Sequence, residues 1–127
     1  MEFHINAEQV NRKVPITIFH LSGSLNIASV ETFEAQARQA VQGGTRYVLL
    51  DFQDVDAIRS AGLRSVQVLY KLLSPRAPDM VTTKLAMSPY LKIANLSPEV
   101  YYVFEVSGFL RNIPNYNDLE TALNSFE

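Results

Sequence analysis

The four residues Tyr47-Val48-Leu49-Leu50 form an uninterrupted apolar run, and this run limits the fold more than any other feature of the chain. Without polar alternation, both faces of such a strand must be buried. That is the environment of a central strand with helices against its sheet and parallel strands beside it. The segments on either side change period accordingly. Before it, Val30, Phe33, Ala37 and Val41 recur at helical spacing, with Ser29 placed as an N-cap and Gly43-Gly44 as the stop. After it, a second helix is predicted to begin near Ser60 and run to about Leu73. Leu63, Val66, Tyr70 and Leu73 lie on one stripe and Arg64, Gln67 and Lys71 on another, while Val68, Leu69 and Leu72 widen the apolar surface.

Phe3, Ile5 and Ala7 alternate with Glu2, His4, Asn6 and Glu8, the period of a half-buried edge strand. The polar turn Asn11-Arg12-Lys13 leads to a second strand, Ile16 to Leu21. So short a connection makes the pair an antiparallel hairpin, closed by Ser22-Gly23-Ser24. Pro75, Pro78 and Pro89 interrupt residues 74–90, which read as a long inserted loop holding a short strand or helix at Thr82 to Met87. Leu91 to Leu96 reads as another strand. Ser97-Pro98-Glu99 starts a helix with a hydroxyl cap, a proline at the first helical position and an acid at the positive dipole end. Its buried stripe is Val100, Val103 and Phe104, and Gly108 ends it. Phe109 to Ile113 is predicted as a last short strand. Asn117-Asp118-Leu119-Glu120 resembles a capping box before a final helix carrying Leu119, Ala122, Leu123 and Phe126. The expected class is α/β, a mixed sheet of about five strands with about four helices and right-handed crossovers.

A length of 127 residues is near the commonest domain size, so residues 1–127 are read as a single domain. Hydrophobic residues at 47% and a mean hydropathy of zero exclude a disordered chain and a membrane protein. No apolar run approaches the roughly 20 residues that span a bilayer, and Met1-Glu2-Phe3-His4 lacks the basic and apolar regions of a signal peptide. A cytoplasmic protein is expected. The absence of cysteine removes disulfides, thiol nucleophiles and thiolate metal sites together. A net charge of -2 with no basic stripe argues against nucleic acid and anionic membrane as partners, leaving a protein or a small molecule.

Three stretches, in this order and spacing, resemble the STAS family: Phe19-His20-Leu21-Ser22-Gly23-Ser24-Leu25 with the helix after it, Val48 to Leu63, and Asn95 to Gly108. Together they span nearly the whole chain outside residues 74–90. The resemblance implies a sheet with helices mainly on one face. It also implies a function in partner switching, in which the domain binds an anti-sigma kinase and that kinase releases its sigma factor. Phosphorylated members carry an Asp-Ser-Ser-Gly or Asp-Ser-Thr-Gly turn at the start of the second helix, and the hydroxyl residue before the glycine accepts phosphate. Here the turn reads Arg59-Ser60-Ala61-Gly62. By this correspondence Ala61 stands at the acceptor position without a hydroxyl, and Arg59 stands where the family has an acid.

The expected partner-binding loop is therefore Asp54, Asp56, Arg59, Ser60, Ala61 and Gly62, with Arg64 on the exposed side of the following helix. A helix N-terminus offers unpaired N–H groups and positive partial charge, which suits control by a phosphate or by an acidic partner. Ser60 is read as the helix N-cap, worth about 1 kcal/mol, with phosphorylation in place of the missing acceptor as the competing reading. Arg59 is read either as a surface arginine paired with Asp56 or Asp54 or as a partner contact. Asp51, Asp54 and Asp56 are read as ending a strand and capping turns rather than holding magnesium. His4 and His20 lie on predicted strands without a metal-ligand set. No nucleophile elbow joins Ser22, Ser24 or Ser60 to them, so no catalytic residues, metal or cofactor are assigned. Tyr90, Tyr101, Tyr102 and Phe109 are candidates for interface anchors or for the core. The expected partner is an anti-sigma factor or kinase, or another protein of a STAS system, with association of two copies left open. The alternative is a sensor or scaffold binding a small anionic ligand, such as a nucleotide, near Arg59.

Overall fold

The structure is a computed structural model, and it describes residues 2–74 and 87–126. The hairpin predicted at the N-terminus is present: β1 (His4–Asn11) pairs antiparallel with β2 (Pro15–Leu25). α1 (Val30–Gln42), β3 (Val48–Ile58), α2 (Ser60–Leu73), β4 (Leu91–Ala94), α3 (Pro98–Ser107), a 3-10 turn at Phe109–Arg111, β5 (Asn115–Tyr116) and α4 (Leu119–Ser125) follow. The strands lie in the order β1-β2-β3-β4-β5, and every pair after the first is parallel. The apolar run predicts this place for β3: Val48, Leu49 and Leu50 are wholly buried between two flanking strands and two covered faces.

Alternate side chains of the sheet supply two cores. Phe19, Leu21, Leu50, Phe52 and Ile93 meet Phe33 of α1, Val66 and Leu69 of α2, and Val100 and Phe104 of α3. On the opposite face Ile16, Ile18, Leu49 and Ala94 meet Ala122 and Leu123 of α4 and the Phe126 that caps it. Three helices thus cover one face and one short helix part of the other. Phe104 packs edge-on against Phe52 with ring centroids 5.6 Å apart, an arrangement worth about 0.5–1.5 kcal/mol beyond its buried area. Lys92 is buried on the α4 side, where its Nζ donates to the carbonyl and hydroxyl of Ser125 and lies 4.6 Å from the Phe126 ring centre.

Several local expectations are corrected. β2 does not close at Ser22-Gly23-Ser24 but runs through them to Leu25. Gly23 is at φ +91°, and a Cβ there would stand 2.7 Å from the carbonyl oxygen of Glu2, so only glycine lets the N-terminal segment cross so closely. Ser29 sits at the N-cap of α1 without capping it; its hydroxyl accepts from the Asn26 N–H and donates to the Ser24 carbonyl, bracing the preceding turn. Phe109 to Ile113 is not a strand. Gly108, left-handed at φ +83°, turns the chain into the 3-10 turn, and the strand comes after Pro114. The cap of α4 is Asp118, one residue later than the predicted box, and it accepts from the backbone and hydroxyl of Thr121. Ser97 caps α3 as predicted. The element expected at Thr82 to Met87 falls outside the described residues, apart from Met87.

Candidate functional site

The segment from Asp54 to Gly62 is not the loop that its acids predict. Asp54 to Ile58 continue β3, paired with Ser22 to Leu25 of β2 across two shifts of register. This extension carries the strand end beyond the body of the sheet, and only Arg59 separates it from α2. The N–H of Arg59 donates to the carbonyl of Leu25 at 3.0 Å, tying the start of α2 to the end of β2. Two turns therefore share one tip, Asn26-Ile27-Ala28 after β2 and Arg59-Ser60 after β3.

Arg59, not Ser60, holds the N-cap position, and its extended backbone makes no side-chain cap. Ser60 is the first residue of α2, exposed, and its hydroxyl makes no hydrogen bond among the described residues. Ala61 is half-buried and Gly62 buried. No ion pair among the described residues joins Arg59 to Asp54 or Asp56; Asp56 instead accepts from the Ser24 hydroxyl at 2.7 Å. Ile27, 80% exposed, completes the tip. Exposed Arg59 stands at the positive end of the helix dipole, in the turn tied by its N–H to the end of β2 that leads into Ile27, and exposed Asp54 and Asp56 lie on the strand before it. Arg64, one helical turn after Ser60, lines a groove of about 530 Å³ between α1 and α2 with Arg38, Val68 and Leu72.

A second constellation was missed by sequence reasoning. His20 of β2 stands between two carboxylates, with Nδ1 2.7 Å from Oδ2 of Asp51 and Nε2 2.7 Å from Oε1 of Glu8. Asp51 is fixed by donors from Asn95 Nδ2 and the Gln53 N–H on its other oxygen. Burial pulls the His20 pKa down, but the hydrogen bonds and charges of Glu8 and Asp51 more than reverse this, leaving it above its ordinary value. The partners are 12 and 31 residues from His20 in sequence, so only the strand register reveals the cluster. With both ring nitrogens engaged by carboxylates, His20 is bonded to no serine among the described residues, and Asp51 is bonded to His20, Asn95 and the Gln53 N–H. Among the described residues, no group of three or more histidines and acids is arranged to hold a metal. Of the tyrosines proposed as anchors, Tyr101 and Tyr102 are exposed on α3 while Tyr90 is half-buried, and Phe109 belongs to the core.

Residues 5–85 match the family model for the STAS domain. The chain belongs to the STAS family. A Bordetella bronchiseptica protein named as an anti-sigma factor antagonist, BtrV, is 36% identical over 107 residues, covering 84% of this chain and 83% of that protein. Two solved structures show the same STAS fold. An anti-sigma factor antagonist from Mycobacterium paratuberculosis superposes with a TM-score of 0.77 at 16% identity, over 98% of this chain and 93% of the other. The Bacillus cell fate determinant SpoIIAA, in its phosphorylated form, gives 0.66 at 22% identity, over 95% of this chain and 97% of the other. This STAS domain is thus anti-sigma factor antagonist-like, and its tip occupies the strand-to-helix passage expected from the Arg59-Ser60-Ala61-Gly62 turn. None of its described helices is long and apolar enough to cross a membrane.

Proposed function

We propose that this STAS domain is a cytoplasmic protein-binding regulator that controls transcription by partner switching. Its partner is an anti-sigma factor or another protein of that system, and binding rather than catalysis is its output. Docking uses the tip: Ile27 supplies exposed apolar area, and Arg59 and Ser60 supply an exposed cation and an exposed hydroxyl that make no ion pair or side-chain hydrogen bond among the described residues. One observation carries this reading. The backbone beneath these exposed side chains is fixed by the Arg59 to Leu25 hydrogen bond and by the close packing of Gly62, so the surface is preorganised for a partner. Ala61 has no oxygen to phosphorylate, so the family's usual covalent switch is absent and docking is constitutive. An anionic small molecule is less well served. The notch beside the tip, about 330 Å³, is lined by Glu2, Phe3, Ser24 and Asn26 among others, and by no cation among the described residues.

The reading is tested by capturing proteins from a native lysate on the purified chain, followed by titration of the captured protein. Arg59→Glu and Ile27→Asp, both at exposed positions that leave the fold intact, are each expected to weaken binding about ten-fold or more. Unchanged affinity in the double variant, or capture of no anti-sigma factor or STAS-system protein, would overturn it.

A further inference from the structure

Glu8, His20 and Asp51 stand on three consecutive strands, and the imidazole of the middle one bridges the two carboxylates at 2.7 Å on each side. A neutral imidazole has a single N–H, so it donates to one carboxylate and points a lone pair at the other. Imidazolium donates to both. The charged groups bearing on it are Glu8 from β1 and Asp51 from β3; Asn95, from the segment after β4, is neutral and donates to Asp51. We propose that protonated His20 is a pH-operated latch fastening the edge strand β1 across β2 to the central strand β3.

The two ends of the latch differ. The Asp51 side chain is only 9% exposed and its other oxygen is held by Asn95 and Gln53, whereas Glu8 is 55% exposed. Asn95 keeps a left-handed backbone, φ 65°, at the point from which its side chain reaches Asp51, so this end of the network is built into the β4 to α3 connection. When His20 loses its proton, its remaining N–H stays with the buried carboxylate, which cannot be left unsatisfied cheaply. The Glu8 link is the one released, since water can solvate that group.

Beyond its ladder with β2, β1 has few side-chain ties. In this strand only Ile5 and Val10 are partly buried, and its outer edge pairs with no described strand. Gln9 accepts from Thr17, and Arg12 in the turn after β1 bonds Glu120, but both ties lie toward the turn. The N-terminal half is held by the backbone ladder, by Phe3 and Ile5 packed against the edge of the core, and by the latch. Opening it would uncover β2 next to Gly23, where Glu2 and Phe3 cross.

The experiment is an NMR titration of His20 with amide protection factors across the sheet, begun below the pH of about 6.5 at which an ordinary histidine titrates and continued upward until the His20 signals stop shifting. His20 is expected to keep its proton above the pH at which an ordinary histidine loses it. Protection of the Asn6 and Glu8 amides should fall several-fold relative to Leu50 and Ile93 through the same transition. Glu8→Gln, at an exposed position, should lower the His20 midpoint and flatten the pH dependence of β1 protection. An ordinary or depressed His20 midpoint would overturn the latch, as would β1 protection that keeps a constant ratio to β3 protection throughout the titration.

Discussion

Gly62 lies so close to Leu25 that a Cβ on the glycine would stand 2.5 Å from the leucine carbonyl oxygen and 2.9 Å from its Cγ. The same carbonyl accepts the Arg59 N–H, so the contact that seats α2 also sets the tip. Gly62→Ala must push α2 away from β2 or bend the end of the strand. Overpacking of this kind costs about 1–3 kcal/mol. A lower urea midpoint with an unchanged slope is expected, and an unchanged midpoint would show that the seat is softer than the backbone contact implies.

Much of this was legible in the sequence, and the failures have a common cause. The extent of α2 was readable because its apolar spacing spans four turns and agrees with its burial, although its N-cap is Arg59 and not Ser60. The second half of β3 was not, since Asp54 and Asp56 carry a turn-like composition and are held extended by pairing with β2. Gly23 read as a stop for the same reason: a residue type was interpreted locally, while its role is to admit a crossing chain. Arg59 and Ser60 were named but Ile27 was not, because the turn that carries it is brought to theirs by the pairing of β2 with β3 and not by the sequence.

Restoring a hydroxyl at the position matched to the family's acceptor tests the proposed loss of the covalent switch. Ala61→Ser places that hydroxyl in the first turn of α2, where unpaired N–H groups can stabilise an added phosphate. Incubation with a kinase of a partner-switching system is expected to add one phosphate to the variant and none to the parent, read by intact mass. Phosphate on the parent at Ser60 would show that the exposed neighbouring hydroxyl has taken over the role.

Lys92 spends its charge inside the molecule, bonded twice to Ser125 and lying over the Phe126 ring. Lys92→Met keeps the apolar stem but leaves the Ser125 carbonyl without this donor and removes the attraction of the cation for the ring. A loss of about 2 kcal/mol is expected. It should concentrate in faster amide exchange of α4, while α2 on the other face stays protected.

The His20 cluster also gives the fold a pH dependence whose sign is fixed by the direction of the shift. The folded protein holds this proton more tightly than the unfolded chain, because Glu8 and Asp51 outweigh burial. The contribution is therefore complete below the pH where unfolded histidine titrates, about 6.5, and is lost as pH rises from there through the higher folded-state value. In urea melts at a series of pH values, His20→Gln is expected to cost most below about pH 6.5 and least once the parent histidine is neutral, so the two stability curves converge as pH rises. A glutamine amide can still donate one hydrogen bond to Asp51, so what the difference reports is the charge and the Glu8 link. Parallel curves across the whole range would mean that His20 is neutral in the fold and that Glu8 is not tied to it.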